Sequence, residues 1–570
     1  MSDIAARRLN SVATHLAGGA QPTAASFERL RVERKAGQVP YYTPLDPIRF
    51  LLRSAMVYAN KTAVVHGDRS YSYSALSDRV LKLANIFIND YKVKPGDRVA
   101  ILCQNIPANL EASFAVPAAA AVLVPLNTRL VAAELEYVIQ HSGASIVIVQ
   151  EELKDRLSPA VLSSVKVIDV ANYQNKGDPP CPYEQLLENC DSPRLSWNDL
   201  PLTQDENALI SINYTSGSTG RPKGVQCTYR GCYLTALANC IDAQLAPESV
   251  YLWTLPMFHC NGWNYLWALV AVGSTQIMLN KLDYTQIWKL LKQRGVTHYC
   301  AAPTVQNELC NHPDASRLER PVRTFSGGAA LSSTLIERLE SLNIVPTMVY
   351  GLTETYGPAA HTYDPYNLQQ FPKDQRHIMA ARAGFAGICD DEMRVLNQET
   401  GEDVPANGQV IGEICMTGNQ TMLGYYRDPK ETERVFRRGV FWTGDLAVRH
   451  PDGAVEIVDR SKDVIVSGGE NISSIEVEGV IVRLEQVMEC AIVAGPDDKW
   501  GERPFAYVVL KPGKSLTAEA LIAHCRKYLA GYKCPSKVFF VDSIPKTSTG
   551  KVQKYLLREG LWKTYTKRVN

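Results

Sequence analysis

The sequence predicts an α/β protein with a large N-terminal body of mostly parallel sheets and a smaller C-terminal α+β region. Two observations carry this prediction. Short β-branched runs alternate with amphipathic segments in the first part of the chain, as is typical of strand–helix–strand units. After Asp459-Arg460 the pattern changes to a compact mixture of strands and helices of about 110 residues. We therefore expect a domain boundary there.

The alternation is clearest between residues 74 and 170. We predict strands at 99–103, 145–149 and 167–170, and helices at 74–89 and 132–141. The most apolar stretch, 115–126, is shorter than the ~20 residues of a membrane-spanning helix. Because it also contains two prolines, we expect a buried strand and turn there and no transmembrane segment.

Composition excludes several classes of protein. A chain of 570 residues with 45% hydrophobic and 21% charged residues matches a soluble globular protein, not a disordered or disulfide-scaffold one. The 60 Lys and Arg against 59 Asp and Glu leave no broad positive field for nucleic acid. The 14 cysteines have neither C-x-x-C nor zinc-like spacing. A reducing compartment is the simplest interpretation, and no secretory signal is expected.

The strongest chemical signal is the segment YTSGSTGRPKGV at 214–225. Its glycines free backbone N–H groups to face an anion, its hydroxyls add donors, and its lysine adds positive charge. It is not the G-x-x-x-x-G-K-[ST] loop, because glycine follows the lysine. The alternative is an ordinary Ser/Gly surface loop. The expected phosphate-binding residues are Thr215, Ser216, Gly217, Ser218, Thr219, Gly220 and Lys223.

This segment resembles the phosphate loop of the adenylate-forming superfamily, which comprises acyl-CoA synthetases, luciferases and nonribosomal adenylation domains. Further segments resemble that family's motifs in the same order over nearly the whole chain. The resemblance implies a leader at 1–40, an ATP- and acyl-binding body with an αβαβα-like fold at 41–459, and a mobile lid at 460–570.

The family's nucleotide motifs have counterparts at 326–331, 350–355 and 442–445. The resemblance implies that Thr353 contacts the α-phosphate and that Glu354 helps to hold Mg²⁺, a hard cation that prefers carboxylate oxygen. Asp445 would bind the ribose hydroxyls, and Arg460 would reach the same ribose. The remaining nucleotide-site residues that it implies are Gly328, Ala329, Gly351 and Tyr350, the last packed on the adenine.

The resemblance assigns the lid its own residues. Lys462 is the implied hinge, and Lys551 would bridge the substrate carboxylate and the α-phosphate. Ser467, Gly468 and Gly469 would lie over the pantetheine of CoA. Without the family context, a lysine-rich loop is usually a solvated surface and a Ser-Gly-Gly segment is an ordinary turn.

The segment PMFHCNGW at 256–263 resembles the wall of the family's acyl pocket. It implies His259, Asn261, Gly262 and Trp263 as pocket residues, with His259 beside the carboxylate. A buried, hydrogen-bonded histidine is the alternative. Cys260 and Asn261 stand where amino-acid-activating relatives have aspartate, which argues against amino-acid substrates. Trp263 and Asn264 indicate a short or medium pocket with some polar contact.

These motifs imply an AMP-forming acid–CoA ligase that needs Mg²⁺ and uses ATP and CoA as co-substrates. The implied catalytic residues are Lys551, Thr353, Glu354 and His259. The expected substrate is a short- or medium-chain carboxylic acid, and the narrower hypothesis is mevalonate in siderophore biosynthesis. The alternatives are a medium-chain fatty or aryl acid–CoA ligase, a stand-alone adenylation enzyme for a carrier protein, a luciferase-like oxygenase and a noncatalytic binding protein.

A short pattern near the N-terminus resembles a peroxisomal import nonapeptide. Arg8-Leu9 is followed, after five residues, by His15-Leu16, and on a helix Leu9, Val12 and Leu16 would share one face. We expect an import receptor to recognise residues 8–16 and direct the chain to the peroxisome. The alternative is an accidental amphipathic turn in an otherwise cytoplasmic protein.

Overall fold

Four β-sheets and their covering helices organise the chain in a computed structural model. The model describes residues 28–34, 39–171, 181–190, 195–215, 222–329, 331–468, 470–497, 499–547 and 551–562. The import peptide at 8–16 lies outside these residues.

The strands are β1 Thr62–His66, β2 Arg69–Ser72, β3 Arg98–Leu102, β4 Val122–Pro125, β5 Ala144–Gln150, β6 Lys166–Val170, β7 Leu209–Thr215, β8 Lys223–Thr228, β9 Val250–Leu252, β10 Thr275–Ile277, β11 His298–Cys300, β12 Val322–Ser326, β13 Ile344–Leu352, β14 Gly357–His361, β15 Phe385–Ala386, β16 Arg394–Leu396, β17 Gly412–Met416, β18 Phe436–Arg437, β19 Val440–Arg449, β20 Val455–Arg460, β21 Ile465–Ser467, β22 Glu470–Ile472, β23 Val487–Asp497, β24 Gly501–Leu510 and β25 Lys537–Phe540.

The helices are α1 Ile48–Val57, α2 Tyr73–Asn89, α3 Pro107–Ala118, α4 Ala132–Ser142, α5 Pro159–Ser164, α6 Pro182–Glu188, α7 Tyr229–Asp242, α8 Tyr265–Val272, α9 Tyr284–Gln293, α10 Pro303–Asn311, α11 Ser333–Ser341, α12 Pro365–Leu368, α13 Arg376–Ala380, α14 Pro429–Val435, α15 Ser474–Ile481, α16 Ala518–Cys525 and α17 Lys554–Trp562. Short 3-10 turns lie at Glu151–Arg156, Trp197–Asp199, Thr353–Thr355 and Gly531–Lys533.

Two large, mainly parallel sheets form the body. The first has six strands in the order β6-β5-β3-β4-β7-β8, all parallel except the β7–β8 hairpin. The second has nine strands in the order β15-β14-β13-β12-β11-β9-β10-β1-β2 and is parallel from β13 to β1. Parallel strands share a carboxyl edge, where α/β proteins generally bind ligands. Four of the predicted motifs begin at or after the carboxyl ends of β7, β9, β12 and β13.

The other two sheets follow in the C-terminal part. The strands β16-β17-β19-β18, with β20 beside β19, form an antiparallel sheet that ends at Arg460. From Ile465 on, β22-β21-β24-β23 and the parallel edge strand β25 form a separate sheet. This last sheet has its own hydrophobic core with α15 and α16.

The α/β fold class predicted from the sequence is confirmed, and so are all five elements predicted between residues 74 and 170, to within one residue at each end. One local prediction was wrong. Residues 115–118 close helix α3, which tolerates Pro117, and only 122–125 form a strand. The described residues at the two ends of the phosphate-loop segment belong to the antiparallel strands β7 and β8, and α7 follows β8.

The described helices include none that is long and apolar enough to cross a membrane. All 14 cysteines are free thiols.

Candidate active site

A cavity of about 790 Å³ lies between the body and the C-terminal sheet. Residues from distant parts of the sequence line it, including Leu126, Arg129, Tyr425 and Glu431 from the body and Lys546 and Thr547 from the C-terminal part. The predicted site residues that line it are Thr215, Lys223, His259, Trp263, Gly328, Gly351, Thr353, Glu354, Asp445, Arg460, Lys462 and Lys551. One cavity thus gathers predicted site residues that are up to 336 positions apart, from Thr215 to Lys551.

Other predicted residues lie elsewhere. Tyr350, Ala329, Asn261 and Gly262 do not line the cavity, and neither do Ser467 and Gly468. The remaining predicted residues, Ser216, Gly217, Ser218, Thr219, Gly220 and Gly469, lie outside the described residues.

A clamped carboxylate forms one end of the cavity. The antiparallel β19–β20 ladder sets Asp445 opposite Arg460, and Arg460 Nε lies 3.2 Å from Asp445 Oδ1. The Tyr350 hydroxyl donates to Asp445 Oδ2 at 2.9 Å. Burial and the nearby Asp445 carboxylate raise the pKa of Tyr350 well above its ordinary value, so its hydroxyl remains a donor. Tyr350 therefore supports the carboxylate from behind.

Glu413 is a residue of this region that the sequence analysis missed. It is 5% exposed, and its Oε1 accepts the backbone N–H of Gly444 at 2.8 Å while Oε2 accepts from Gln398 at 2.7 Å. Gly444 has a φ of +79°, which favours glycine. The bond from Glu413 holds the turn that carries Asp445. The sequence feature that could have identified Glu413 is a single acidic residue inside the otherwise apolar strand β17.

Two polar residues that follow β13, Thr353 and Glu354, also line the cavity. Glu354 Oε1 accepts the Tyr425 hydroxyl at 2.8 Å. Thr353 Oγ1 lies 3.4 Å from Cys260 Sγ, which donates to it. The described residues contain no group of three His, Cys, Asp or Glu side chains that could form a metal cage. A cation here would thus have to share Glu354 with oxygen atoms of a ligand.

Lys223, the first residue of β8, pairs with Thr215, the last residue of β7. Its ammonium is paired with Glu431 and sits 5.1 Å from the centre of the Tyr425 ring. Hydrogen bonds from Arg434 and then Lys223 lower the pKa of Glu431 to about 2. The carboxylate is therefore charged at neutral pH, and it keeps Lys223 at the cavity.

Lys551 reaches into the cavity from the C-terminal part. A backbone hydrogen bond from Thr547 N to Lys551 O at 2.6 Å closes the loop that presents it. Burial, followed by the positive charge of Arg460, lowers the pKa of Lys551 to about 7. Among the described residues the Lys551 ammonium has no ion-pair partner, so it is available to a bound anion.

His259 lies near both Lys551 and the indole of Trp263. Burial, and to a lesser degree Lys551, lowers the pKa of His259 to about 4, so the ring is neutral at physiological pH. Its ring centre lies 6.4 Å from that of Trp263. A neutral ring here can border a carboxylate without adding charge to the site.

Residues 260–264 form what we call the left-handed turn. All five have positive φ: Cys260 (+42°), Asn261 (+45°), Gly262 (+57°), Trp263 (+52°) and Asn264 (+65°). A left-handed conformation costs roughly 1–2 kcal/mol for each ordinary residue, so surrounding contacts must maintain it. The turn directs Trp263 to the cavity and points the Asn261 and Asn264 side chains away from it, toward Tyr356. The polar contact expected from Asn264 is therefore absent.

Trp263 closes one side of the cavity. It is only 6% exposed, and a β-carbon on Gly327, just after β12, would lie 3.2 Å from its Cη2 atom. The indole therefore reaches from the left-handed turn to the end of β12. This contact limits the depth of the cavity beyond His259 and Cys260.

Lys462 lies on the cavity wall just after β20, where burial and Arg460 lower its pKa. The Ser467–Gly468 segment lies in the β21–β22 hairpin. Gly468 has a φ of +62°, donates its N–H to Trp500 O at 2.8 Å, and leaves no room for a β-carbon, since Trp500 Cε3 would be 2.6 Å away. Trp500, 43% exposed, is the aromatic neighbour of this loop that the sequence analysis did not identify.

Comparison with known proteins gives a consistent result. The family model described as AMP-binding enzyme matches residues 51–426, and that of the AMP-binding enzyme C-terminal domain matches residues 476–551. The chain is 38% identical over 533 residues to a 2-methylpropanoate–CoA ligase of Humulus lupulus, covering 91% of this chain and 95% of that protein. It is 37% identical over 532 residues to a peroxisomal butyrate–CoA ligase of Arabidopsis thaliana, covering 90% and 93%.

Solved structures show the same fold. The crystal structure of ATP-bound MatB from Rhodopseudomonas palustris matches with a TM-score of 0.80 and 26% identity, covering 92% of this chain and all of that one.

Proposed function

The chain belongs to the AMP-binding enzyme family and is an AMP-forming acid–thiol ligase that uses ATP and CoA, and from this premise we propose that its acid substrate is a short-chain carboxylic acid. The observation that carries the choice of a short acid is the position of Trp263, whose indole closes the cavity against Gly327. A long acyl chain would have to displace that ring. The relatives named for 2-methylpropanoate and butyrate support the same size class.

In this proposal the nucleotide lies along the wall formed by Asp445, Arg460, Thr353 and Lys223. The clamped Asp445 carboxylate accepts the ribose hydroxyls, and Lys223 with the phosphate-loop residues 215–220 meets the triphosphate. Thr353 contacts the α-phosphate. Tyr350 backs Asp445 and the adenine, and Gly328, Ala329 and Gly351 lie near the base.

The first half-reaction joins the acid to AMP. A carboxylate oxygen attacks the α-phosphorus, the bond from the α-phosphorus to the bridging oxygen breaks, and pyrophosphate leaves. Protonated Lys551 lies between the carboxylate and the α-phosphate and offsets negative charge in the transition state. Neutral His259 orients the carboxylate from the other side. The residues thus act by positioning and charge, without a covalent enzyme intermediate.

A divalent cation would neutralise the departing pyrophosphate when it is bound. Mg²⁺ commonly takes one or two protein carboxylates together with substrate phosphates. Glu354 fits that pattern because it lines the cavity and has one oxygen held by Tyr425. We therefore assign Glu354 to Mg²⁺.

The second half-reaction transfers the acyl group to CoA. The CoA sulfur attacks the acyl carbon, AMP leaves with both electrons of the anhydride bond, and the thiol proton passes to solvent. Residues 460–570 would act as a lid that turns about Lys462, withdraws Lys551 and brings Ser467, Gly468 and Gly469 to the pantetheine. Trp500 would then lie beside the thiol arm.

The test uses purified protein with ATP, Mg²⁺ and CoA and a panel of acetate, 2-methylpropanoate, butyrate, octanoate, benzoate and mevalonate. We expect the highest kcat/KM with a branched or straight acid of two to five carbons. In Lys551→Ala, acid-dependent pyrophosphate release should be lost, while CoA still consumes supplied acyl-AMP. Preference for octanoate or benzoate would contradict the short-acid proposal, and unchanged adenylation would contradict the role of Lys551.

Mevalonate remains the narrower hypothesis, with siderophore biosynthesis as its pathway. It rests on the combination of this enzyme class with an import peptide, and Asn264 offers its hydroxyl no contact because that side chain faces Tyr356. The panel decides it: activity on butyrate with none on mevalonate would exclude it.

We also propose a peroxisomal location, directed by residues 8–16. Several relatives are named as peroxisomal proteins, including the butyrate–CoA ligase. A fluorescent protein fused to the C-terminal end of residues 1–30 should accumulate in peroxisomes. The Leu9→Asp substitution should leave the same fusion in the cytosol. A cytosolic wild-type fusion would contradict the proposal.

A further inference from the structure

The left-handed turn contacts a second turn, residues 353–357, which we call the phosphate turn. Asn264 Nδ2 donates to Tyr356 O at 2.6 Å, and the Tyr356 hydroxyl donates to Asn261 Oδ1 at 3.3 Å. Cys260 Sγ donates to Thr353 Oγ1 at 3.4 Å. These contacts connect the wall of the acyl side directly to the residues of the phosphate side.

Backbone packing makes the contact close. A β-carbon on Gly357 would lie 3.3 Å from Trp263 Cα, so the two backbones touch where the indole leaves its turn. The phosphate turn also contains positive φ values, +53° at Tyr356 and +123° at Gly357. Each turn thus has an unfavourable backbone conformation that the other helps to maintain. When one of the two turns moves, we therefore expect the other to move with it.

The Tyr356 hydroxyl joins a third element. Ser211 Oγ, in β7, donates to that hydroxyl at 3.1 Å. Strand β7 leads directly to Thr215 and the phosphate-loop segment. Tyr356 is 1% exposed and does not line the cavity. Its side chain therefore bridges the acyl wall, the phosphate turn and the strand before the phosphate loop without contacting a ligand.

We propose that Tyr356 is a positioning residue that couples binding of the carboxylic acid to binding of ATP, by fixing the left-handed turn against the phosphate turn. The inference rests on the proposed acid and ATP sites. A bound nucleotide holds Thr353 and the phosphate turn in place, so the left-handed turn and Trp263 are already ordered when the acid arrives. By reciprocity, the acid favours nucleotide binding by the same factor.

The test is a binding cycle with full-length protein. Calorimetry measures the Kd of butyrate with and without saturating α,β-methylene ATP, an analogue whose carbon bridge prevents pyrophosphate release. In the wild type we expect the analogue to tighten butyrate binding by about 5-fold or more, within the usual range of coupling between sites. Tyr356→Phe removes the hydroxyl and should reduce that ratio to at most about 2-fold.

Two further comparisons separate coupling from general damage. Tyr299→Phe removes another buried hydroxyl, which donates to Gln306 outside the cavity, and should keep the wild-type ratio. Cys260→Ala removes the thiol donor to Thr353 and should lower the ratio, whereas Cys260→Ser keeps a donor and should restore it. This serine–alanine pair tests the inference even if Tyr356→Phe does not fold.

The outcomes are distinguishable. An unchanged ratio in Tyr356→Phe and Cys260→Ala, or a wild-type ratio near one, overturns the coupling while the proposed function stands. Failure of the wild type to bind both the analogue and butyrate overturns the proposed function and the inference with it.

Discussion

The Tyr350 hydroxyl lies 2.9 Å from Asp445 Oδ2, while Arg460 Nε lies 3.2 Å from the other oxygen of the same carboxylate. The two donors come from different sheets, since Tyr350 is in β13 and Arg460 is in β20. Asp445 is therefore fixed at the junction between the parallel body and the antiparallel sheet that follows it. This placement leads to the first prediction.

Asp445→Asn should weaken ATP binding by on the order of 10- to 100-fold, because hydrogen bonds to a charged group contribute about 1.5–3 kcal/mol. The amide keeps the volume but loses the charge and one acceptor. The informative control is 2′-deoxy-ATP. We expect the wild type to bind it more weakly than ATP, and the variant to bind the two nucleotides with nearly equal affinity. Equal loss with both nucleotides would show that Asp445 does not contact the ribose.

Glu413 should act on the same step through the backbone. Glu413→Ala leaves the partly buried Gly444 N–H without its acceptor, and we expect KM for ATP to rise by about 10-fold. Glu413→Gln keeps an acceptor oxygen and should remain within about 3-fold of the wild type. Steady-state kinetics at saturating acid and CoA measure both. Equal effects of the two substitutions would contradict the role of the N–H bond.

Lys551 should take up a proton when substrates bind at pH 8. With a pKa of about 7 in the ligand-free protein, its amine is mostly neutral at that pH. A carboxylate and a phosphate beside it favour the charged form and raise the pKa, so close to one proton enters the site. Calorimetry with butyrate and α,β-methylene ATP in buffers of different ionisation enthalpy measures the uptake.

Lys551→Ala should abolish that uptake. His259, with a pKa of about 4, is neutral at pH 8 and should contribute little. The same proton uptake in Lys551→Ala would assign it to another group. At pH 6, where Lys551 is already charged in the free protein, the wild type should take up much less than at pH 8.

Trp263→Ala should extend the range of acids that the enzyme accepts. Loss of the indole opens the cavity toward Gly327, and each buried methylene of a longer acid contributes about 0.8 kcal/mol. We expect kcat/KM for octanoate relative to butyrate to rise by at least about 10-fold. Thermal unfolding verifies that the variant is folded. An unchanged preference would indicate that another group sets the acyl length.

Much of the fold followed from local sequence pattern. The strands and helices between residues 74 and 170 were predictable because short β-branched runs alternate there with amphipathic segments. The residues of the cavity were also identifiable, because glycine-rich and acidic motifs keep their order along the chain. Thr353, Asp445 and Lys551, which these motifs identified, all line the cavity.

Other features depend on contacts between distant segments. No local pattern indicates five successive residues with positive φ at 260–264, since Cys and Trp disfavour that conformation. A distant segment helps to maintain the turn: the backbone oxygen of Tyr356, 92 positions after Asn264, accepts a hydrogen bond from that asparagine's amide. The sequence predicts that Asn261 and Gly262 line the pocket, but the direction of these residues depends on this distant contact. In the structure neither residue lines the cavity.

The sequence by itself thus determined which chemical groups are present and in which order, since phosphate, carboxylate and metal each require particular side chains. Only the tertiary structure decided which of those groups face the same cavity. It made Tyr350 a support for Asp445, Glu413 an anchor of a backbone turn, and Tyr356 a bridge between two turns. The physical reason is that side-chain direction depends on backbone conformation, and long-range packing selects that conformation against local preference.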